Sequence, residues 1–325
     1  MKRKLIIDAH VAQYNLISIP GIDIVYSNED PYFTFNNKIN DDDDIYLLTG
    51  INSNYVVNSG ISNMRINNIM SYKKVIPMLR VKDTDKIMMS KYHDIIDTPT
   101  TYFSNNFKTT VNMLENDKEY IVKVTEQARS IGKHVFKDKY EIMHYLNVIN
   151  GETEICDIDD ISSNKFYDVV NEYFNINVGR IYTDDEKYLL HKQVIQNRVV
   201  VQEVVEFSHE FRILYFKGTE SSEFVVENRI GYSPSSEEER KHEVVDLSDI
   251  IPEQTAKLIK EKCKLFGDSL SYVMLSLDIY YNEKDDTFGM FEYSQQFGVD
   301  YEKDIIEKIS KQMSNAVYNE IKCFT

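Results

Sequence analysis

Tyr272–Ser294 reads YVMLSLDIYYNEKDDTFGMFEYS: two strand-like apolar runs on either side of the polar turn NEKDDT. Asp278 and Glu292 lie equally far from Asp285, at the middle of that turn. In a regular hairpin register the two carboxylates therefore face one another. Cross-strand partners have Cβ atoms about 5 Å apart, and like charges so placed destabilise the pair unless something compensates. A divalent cation would compensate. Asp278 interrupts an apolar run and Glu292 sits between Phe291 and Tyr293, positions where a carboxylate is rarely buried without a partner. Hard oxygen ligands of this kind suit Mg²⁺, which takes one or two carboxylates and completes its shell with substrate phosphates. A hairpin carrying both acids on a solvent face is the alternative.

Upstream, RVVVQEVVEF (198–207), HEFRILYFKG (209–218) and SEFVVENRI (222–230) are strongly β in composition, the last two forming a hairpin that turns near Thr219 and Glu220. Strand alternation places Glu210 and Arg212 on one face, where an ion pair or a substrate contact would explain them equally. Lys123 sits between valines in EYIVKV (119–124), ahead of a loop running from Thr125 to Gly132. A lysine so placed can meet a phosphate that the loop N–H groups also cover, or it can simply protect an edge strand. The segment DKIMMSKYHDII (85–96) has helical spacing and stops at Thr98 and Pro99. Pro252 opens an amphipathic helix that Gly267 is expected to end, and a last helix spans about 302–322.

The first 80 or so residues alternate short apolar runs (KLIID, IDIVYS, IYLLTG) with polar turns and read as a small α/β lobe. The run Asp41–Asp44 reads as a solvated turn before a strand. Residues 137–197 carry no usable motif. The expected organisation is an N-terminal lobe over 1–80, a central lobe over 81–200 and a C-terminal lobe over 201–325, since 325 residues exceed what one core usually serves. An excess of 53 acidic over 37 basic residues argues against direct binding of nucleic acid or an anionic membrane. Cys156, Cys263 and Cys323 lack metal-ligand spacing and read as reduced thiols of a cytoplasmic protein. No signal peptide or transmembrane stretch is evident.

The order of these clusters resembles the ATP-grasp superfamily, and within it the ribosomal-protein glutamate ligases and related peptide-modifying carboxylate–amine ligases. The likeness covers about residues 80 to 300. DKIMMSKYHDIIDTPTTYF (85–103) is similar to the family segment that carries a first phosphate-contacting lysine, here Lys86. IVKVTEQARSIGKHV (121–135) is similar to the strand and phosphate-binding loop, with Lys123 as second lysine and Ser130 and Gly132 on the loop. VVVQEVVEFSHEFRILYFKG (199–218) looks like the hinge that holds the nucleobase. By that resemblance Gln202 takes the acidic or amide position, the backbone from Glu203 to Val205 lines the adenine and Glu210 binds the ribose. Arg212 would serve the acyl-phosphate. SLDIYY and MFEYS match the metal strands, which makes Asp278 and Glu292 ligands of Mg²⁺; Ser294 stands where the family has asparagine. For the family's further arginine, Arg229 and Arg240 are the candidates.

The resemblance implies an α+β / α/β chain, a small N-terminal α/β lobe followed by two β-rich lobes clasping ATP. It implies a ligase that joins a carboxylate to an amine through an acyl-phosphate, with ATP and Mg²⁺ as cofactors and a small molecule, peptide or protein as acceptor. Homodimerisation is left open. Because the loop keeps only Gly132 and Ser294 replaces asparagine, the alternative is an ATP-binding regulatory or assembly protein that has lost catalysis.

Overall fold

A computed structural model describes residues 3–8, 16–26, 44–49, 75–77, 89–103, 107–124, 134–143, 199–230, 241–270, 272–294, 297 and 301–323. Three sheets organise them. Strands β1 (Arg3–Asp8), β2 (Asp23–Tyr26), β3 (Asp44–Thr49) and β4 (Val75–Pro77) form a parallel sheet in the order β2-β1-β3-β4. Parallel neighbours cannot be joined by a tight turn, and a parallel sheet is the pairing that an α/β lobe requires. Its core residues Leu5 and Tyr46 are almost fully enclosed.

The middle sheet comprises β5 (Thr101–Tyr102), β6 (Tyr120–Val124), β7 (His134–Phe136) and β8 (Val199–Glu203), antiparallel in the order β5-β8-β6-β7. One short helix, α1 (Phe107–Asn112), lies between β5 and β6. Sheet membership changes after Glu203, where β8 ends. The third sheet is also antiparallel: β9 (His209–Phe216), β10 (Val225–Ile230), β11 (Lys241–Val244), β12 (Met274–Asn282) and β13 (Thr287–Ser294), ordered β11-β10-β9-β12-β13. Helix α2 (Glu253–Leu270) precedes β12 and helix α3 (Lys303–Cys323) closes the chain.

One face of this third sheet is apolar. Phe211, Ile213 and Tyr215 of β9, Leu277 and Ile279 of β12 and Met290 of β13 share a core with Ile259, Cys263 and Phe266 of α2 and with Ile309, Met313 and Val317 of α3. Edge-on ring pairs Phe266–Tyr293 and Tyr92–Phe266, both at 5.2 Å, extend that core. Tyr92 belongs to a 3₁₀ turn at Ser90–Tyr92, where helical spacing predicts a longer helix. Residues 85–88 of that stretch lie outside the described residues.

Helix α2 does not end at Gly267 but continues to Leu270. Gly267 is there for contact, since a Cβ would lie 2.6 Å from the Tyr215 ring. Gly289 of β13 is confined in the same way, its absent Cβ falling 2.4 Å from Tyr280 Oη and 2.7 Å from the Asp97 carbonyl oxygen. That carbonyl accepts the Met290 N–H at 2.7 Å and ties the segment after the 3₁₀ turn to the hairpin. Gly289→Ala should therefore cost about 1–3 kcal/mol through displaced neighbours, measured by urea unfolding; a loss under about 0.5 kcal/mol would contradict the contact. Among the described residues no helix is long and apolar enough to cross a membrane.

Candidate functional site

The opposite face of the third sheet is charged. The ladders align Glu227 of β10 with Arg212 of β9, Arg212 with Asp278 of β12, and Asp278 with Glu292 of β13. Two residues along β9, β10 and β12, and three along β13, a second row aligns Arg229, Glu210, Tyr280 and Gly289. Register alone thus gathers four acids and two arginines over two adjacent rows of four strands.

The opposition of Asp278 and Glu292 depends on a bulge. At the tip Asn282 pairs with Thr287, so the turn is Glu283–Asp286, with Asp286 at φ 53°. An uninterrupted ladder from there would set Asp278 against Phe291. The register instead shifts between Asp278 and Ile279, leaving Phe291 as the extra residue and bringing Glu292 opposite Asp278. The Asp286 carboxylate anchors the tip, accepting from Tyr281 Oη and Thr255 Oγ1, both at 3.0 Å.

The compensation for these acids is not the one that like-charge repulsion across the hairpin suggests. Arg212 grips Asp278 with both ends of its fork, Nε to Oδ1 at 2.7 Å and Nη2 to Oδ2 at 2.8 Å. Arg229 Nη1 donates to Asp278 Oδ2 at 3.2 Å and also to Glu210, while its Nε donates to Glu227 Oε1 at 3.1 Å. Tyr301, just ahead of α3, donates to Glu227 Oε2 at 2.6 Å. Burial would raise the Asp278 carboxyl, but the Arg212 and Arg229 guanidiniums outweigh it and hold that carboxyl below the ordinary carboxylate range. Burial likewise opposes the charge on both arginines, and Asp278 first of all restores it. Arg229 is 3% exposed and Arg212 20%, so one is sealed in the network and the other reaches the surface.

Asp278 and Glu292, opposed across the hairpin, are the acids here that could share a divalent cation. No group of three acidic, histidine or cysteine side chains among the described residues is placed to hold a metal ion, so a cation here would draw further ligands from phosphate oxygens or water. Glu292 is half-buried, Asp278 has already given three lone-pair sites to arginines, and Ser294 faces Ser276 in the row beyond.

The expected hinge is the link between the middle and third sheets. Glu203 N–H donates to the Thr100 carbonyl and Val204 N–H to the Glu119 carbonyl, each at 3.0 Å; Ser208 N–H then donates to the Tyr281 carbonyl at 2.8 Å. Val205 lies half-buried between these two anchorages. Gln202 is 1% exposed; its Nε2 donates to Thr101 Oγ1 at 2.8 Å, while its Oε1 is buried with no partner among the described residues. A buried amide oxygen of this kind is an acceptor for an exocyclic amino group, which fits a nucleobase. The Glu203 side chain is committed elsewhere, accepting from Tyr102 Oη at 2.7 Å and Lys118 Nζ at 2.9 Å. Burial works against its charge, but these two donors bring its carboxyl below the usual range. Rings of Phe207 and Phe291 at 5.1 Å, and of Tyr280 and Phe291 at 4.8 Å, bridge the hinge to the charged rows.

Arg212, Glu210, Asp278 and Glu292 are thus brought together, and Arg229 joins them in the sealed network. Gln202, Glu203 and Val205 sit at the hinge. Lys123 falls in β6 opposite Val200, one strand away from Gln202; its side chain, Lys86, Ser130, Gly132 and Arg240 lie outside the described residues. Glu227 and Tyr301 were not singled out from the sequence. The i, i+2 spacing of Glu227 and Arg229 in FVVENRI signals a charged strand face, but nothing local pairs Glu227 with Tyr301.

Solved structures resemble this chain along its length. D-Alanine–D-alanine ligase from Bacillus anthracis complexed with ATP matches with a TM-score of 0.57 at 11% identity, covering 100% of both chains. D-Cycloserine synthetase matches with a TM-score of 0.57 at 10% identity, covering 97% of this chain and 99% of that one. A RiPP-associated ATP-grasp ligase from Chryseobacterium gregarium, in complex with ADP and a leader and core peptide, matches at 0.53 and 12%, covering 97% of each. No family model and no curated protein matches the sequence. With its three sheets in this order and this likeness over the full length, the chain has the ATP-grasp fold.

Proposed function

We propose that this chain is an ATP-dependent carboxylate–amine ligase working through an acyl-phosphate. The observation that carries the reading is the row Glu227, Arg212, Asp278 and Glu292 across four strands of an ATP-grasp fold. Phosphoryl transfer asks a protein mainly to position reactants and neutralise developing charge, which lysines, arginine and a divalent cation can do without a nucleophilic side chain. In this reading Gln202 Oε1 and the Glu203–Val205 backbone receive the adenine, and Glu210 lies toward the ribose. Lys86, Lys123 and the loop carrying Ser130 and Gly132 attend the phosphates.

Asp278 and Glu292, with Ser294 at the margin, would hold Mg²⁺, which would supply neutralisation of phosphate charge. Arg212 attends the transferred phosphoryl group as the substrate carboxylate attacks it and ADP leaves. An amine then displaces phosphate and forms the amide. Solved neighbours include enzymes bound to leader, core or precursor peptides, so a peptide or small-molecule acceptor is the class to screen. The protein is taken to act in the cytoplasm.

Two measurements test the proposal. Mg-ATP at 100 times its dissociation constant should add about 2.7 kcal/mol to unfolding stability, and a melting curve indifferent to nucleotide would end it. Release of ADP should rise when the correct acceptor is supplied, with mass spectrometry of extracts identifying the product. One observation favours a second reading, nucleotide binding without transfer: Asp278 is already bidentate with Arg212. Tight Mg-ATP binding with no acceptor-dependent ADP release would select that reading.

A further inference from the structure

Gln202 of β8 stands between Thr101 of β5 and Ile121 of β6 in the middle sheet. Of these two neighbours only Thr101 is polar. Its hydroxyl has a single proton, which is directed to the Pro99 carbonyl at 2.9 Å. A carbonyl only accepts, so toward Gln202 the Thr101 oxygen can act only as an acceptor. An amide offers an NH₂ on one branch and a carbonyl oxygen on the other. Nε2 therefore has to face Thr101, as it does at 2.8 Å, and Oε1 is turned away from it. Gln202 is 1% exposed, and that oxygen has no partner among the described residues.

We propose that Thr101 is a specificity-determining residue for the nucleobase: committed as a donor to Pro99, its hydroxyl locks the Gln202 amide so that a carbonyl oxygen, not an NH₂, faces the base. This rests on the reading of Gln202 as the residue that meets the adenine, and it names what sets the polarity of that contact. Oε1 accepts from the exocyclic amino group of adenine. A purine with an oxo group at the same position sets acceptor against acceptor beside a side chain buried from water, where an unpaired polar group is costly. Glutamine by itself has no such preference, because turning the amide over exchanges the two branches at nearly the same shape. Removing the Thr101 hydroxyl frees that rotation, and the same side chain can then donate to the oxo group.

The test is isothermal titration of the full chain with Mg-ATP and with Mg-ITP, since inosine triphosphate replaces the amino group by an oxo group at nearly the same shape. The purine N1 changes as well, but identically for every variant, so it cancels when the ITP-to-ATP ratio of dissociation constants is compared between variants. Wild type should favour ATP. Thr101→Val keeps the β-branched shape on an edge strand and should lower the ratio by about tenfold, the scale of one buried hydrogen bond against a mismatch. Thr101→Ala should do the same and serves if the valine variant does not fold. Thr101→Ser retains the hydroxyl and should retain the wild-type ratio. A ratio unmoved in Thr101→Val and Thr101→Ala, or lowered as far in Thr101→Ser, makes Thr101 structural only and overturns the inference. Gln202→Met tells the two levels apart. If its ratio equals that of wild type, or if wild type binds both nucleotides alike or neither, the placing of the base at Gln202 fails and the inference with it. A lowered ratio in Gln202→Met beside an unmoved one in Thr101→Val overturns the inference alone.

Discussion

Arg229→Met should destabilise the protein by about 3–5 kcal/mol at neutral pH, the usual consequence of stripping a buried charge network of one sign. Arg229 is the cation shared by Glu210, Glu227 and Asp278, and each of those acids is at most 5% exposed. Methionine fills much of the same volume, so the loss reports electrostatics more than a cavity. The sign of the pH dependence follows from Asp278. Its folded-state value lies below the unfolded one, so its contribution is present above the ordinary carboxylate value of about 3.9 and is lost as pH falls through the folded value. In Arg229→Met the Asp278 carboxyl keeps Arg212 but loses its second cation, so it is held down less and takes up a proton at higher pH than in the wild type. The deficit relative to wild type should therefore shrink between pH 7 and about pH 4.5. Urea unfolding at both values measures it, and a deficit that is small, or that grows with acid, would count against the network.

Arg212→Gln should lower acceptor-dependent ADP release by about a thousandfold, the scale on which preorganised donors and arginines act on a developing phosphoryl charge. Its effect on folding should be smaller than that of Arg229→Met, because Asp278 keeps its 3.2 Å bond from Arg229 and Arg212 is partly exposed. Asp278→Asn gives the complementary result. Simple relief of like-charge repulsion across the hairpin would make it stabilising. The observed pairing predicts a loss of roughly 1–3 kcal/mol, because Arg212 and Arg229 lose their common acceptor. A cycle combining Arg212→Gln with Asp278→Asn should show coupling above 0.5 kcal/mol. Additive effects, together with near-normal turnover in Arg212→Gln, would remove Arg212 from the chemistry.

Much of this architecture is legible in local chemistry. Alternating apolar positions announce β9, β10, β12 and β13, and helical spacing after Pro252 announces α2. Two acids inside otherwise apolar strands point to a charged sheet face. The hinge is marked by Gln202 and Glu203 at the end of a β-branched run. Where local rules mislead, a neighbour from elsewhere in the chain is the cause. Gly267 carries the composition of a helix end, yet the approach of the Tyr215 ring explains it. The facing of Asp278 and Glu292 follows from counting about Asp285, but a shorter effective turn and a bulge at Phe291 produce the same pair by another route.

Side-chain alternation and apolar periodicity are properties of consecutive residues, so the sequence by itself determined that β9, β10, β12 and β13 are strands, that Glu210 and Arg212 share a face, and that Asp278 interrupts an apolar run. Only the tertiary structure decided who neutralises whom. That choice depends on strand order and register, which bring residues 212, 227, 278 and 292 into one row, and on Tyr301, delivered from beyond the sheet. A charge-assisted hydrogen bond needs donor and acceptor within about 3 Å and well aligned, and those last ångströms are set by long-range packing that no window of neighbouring residues contains.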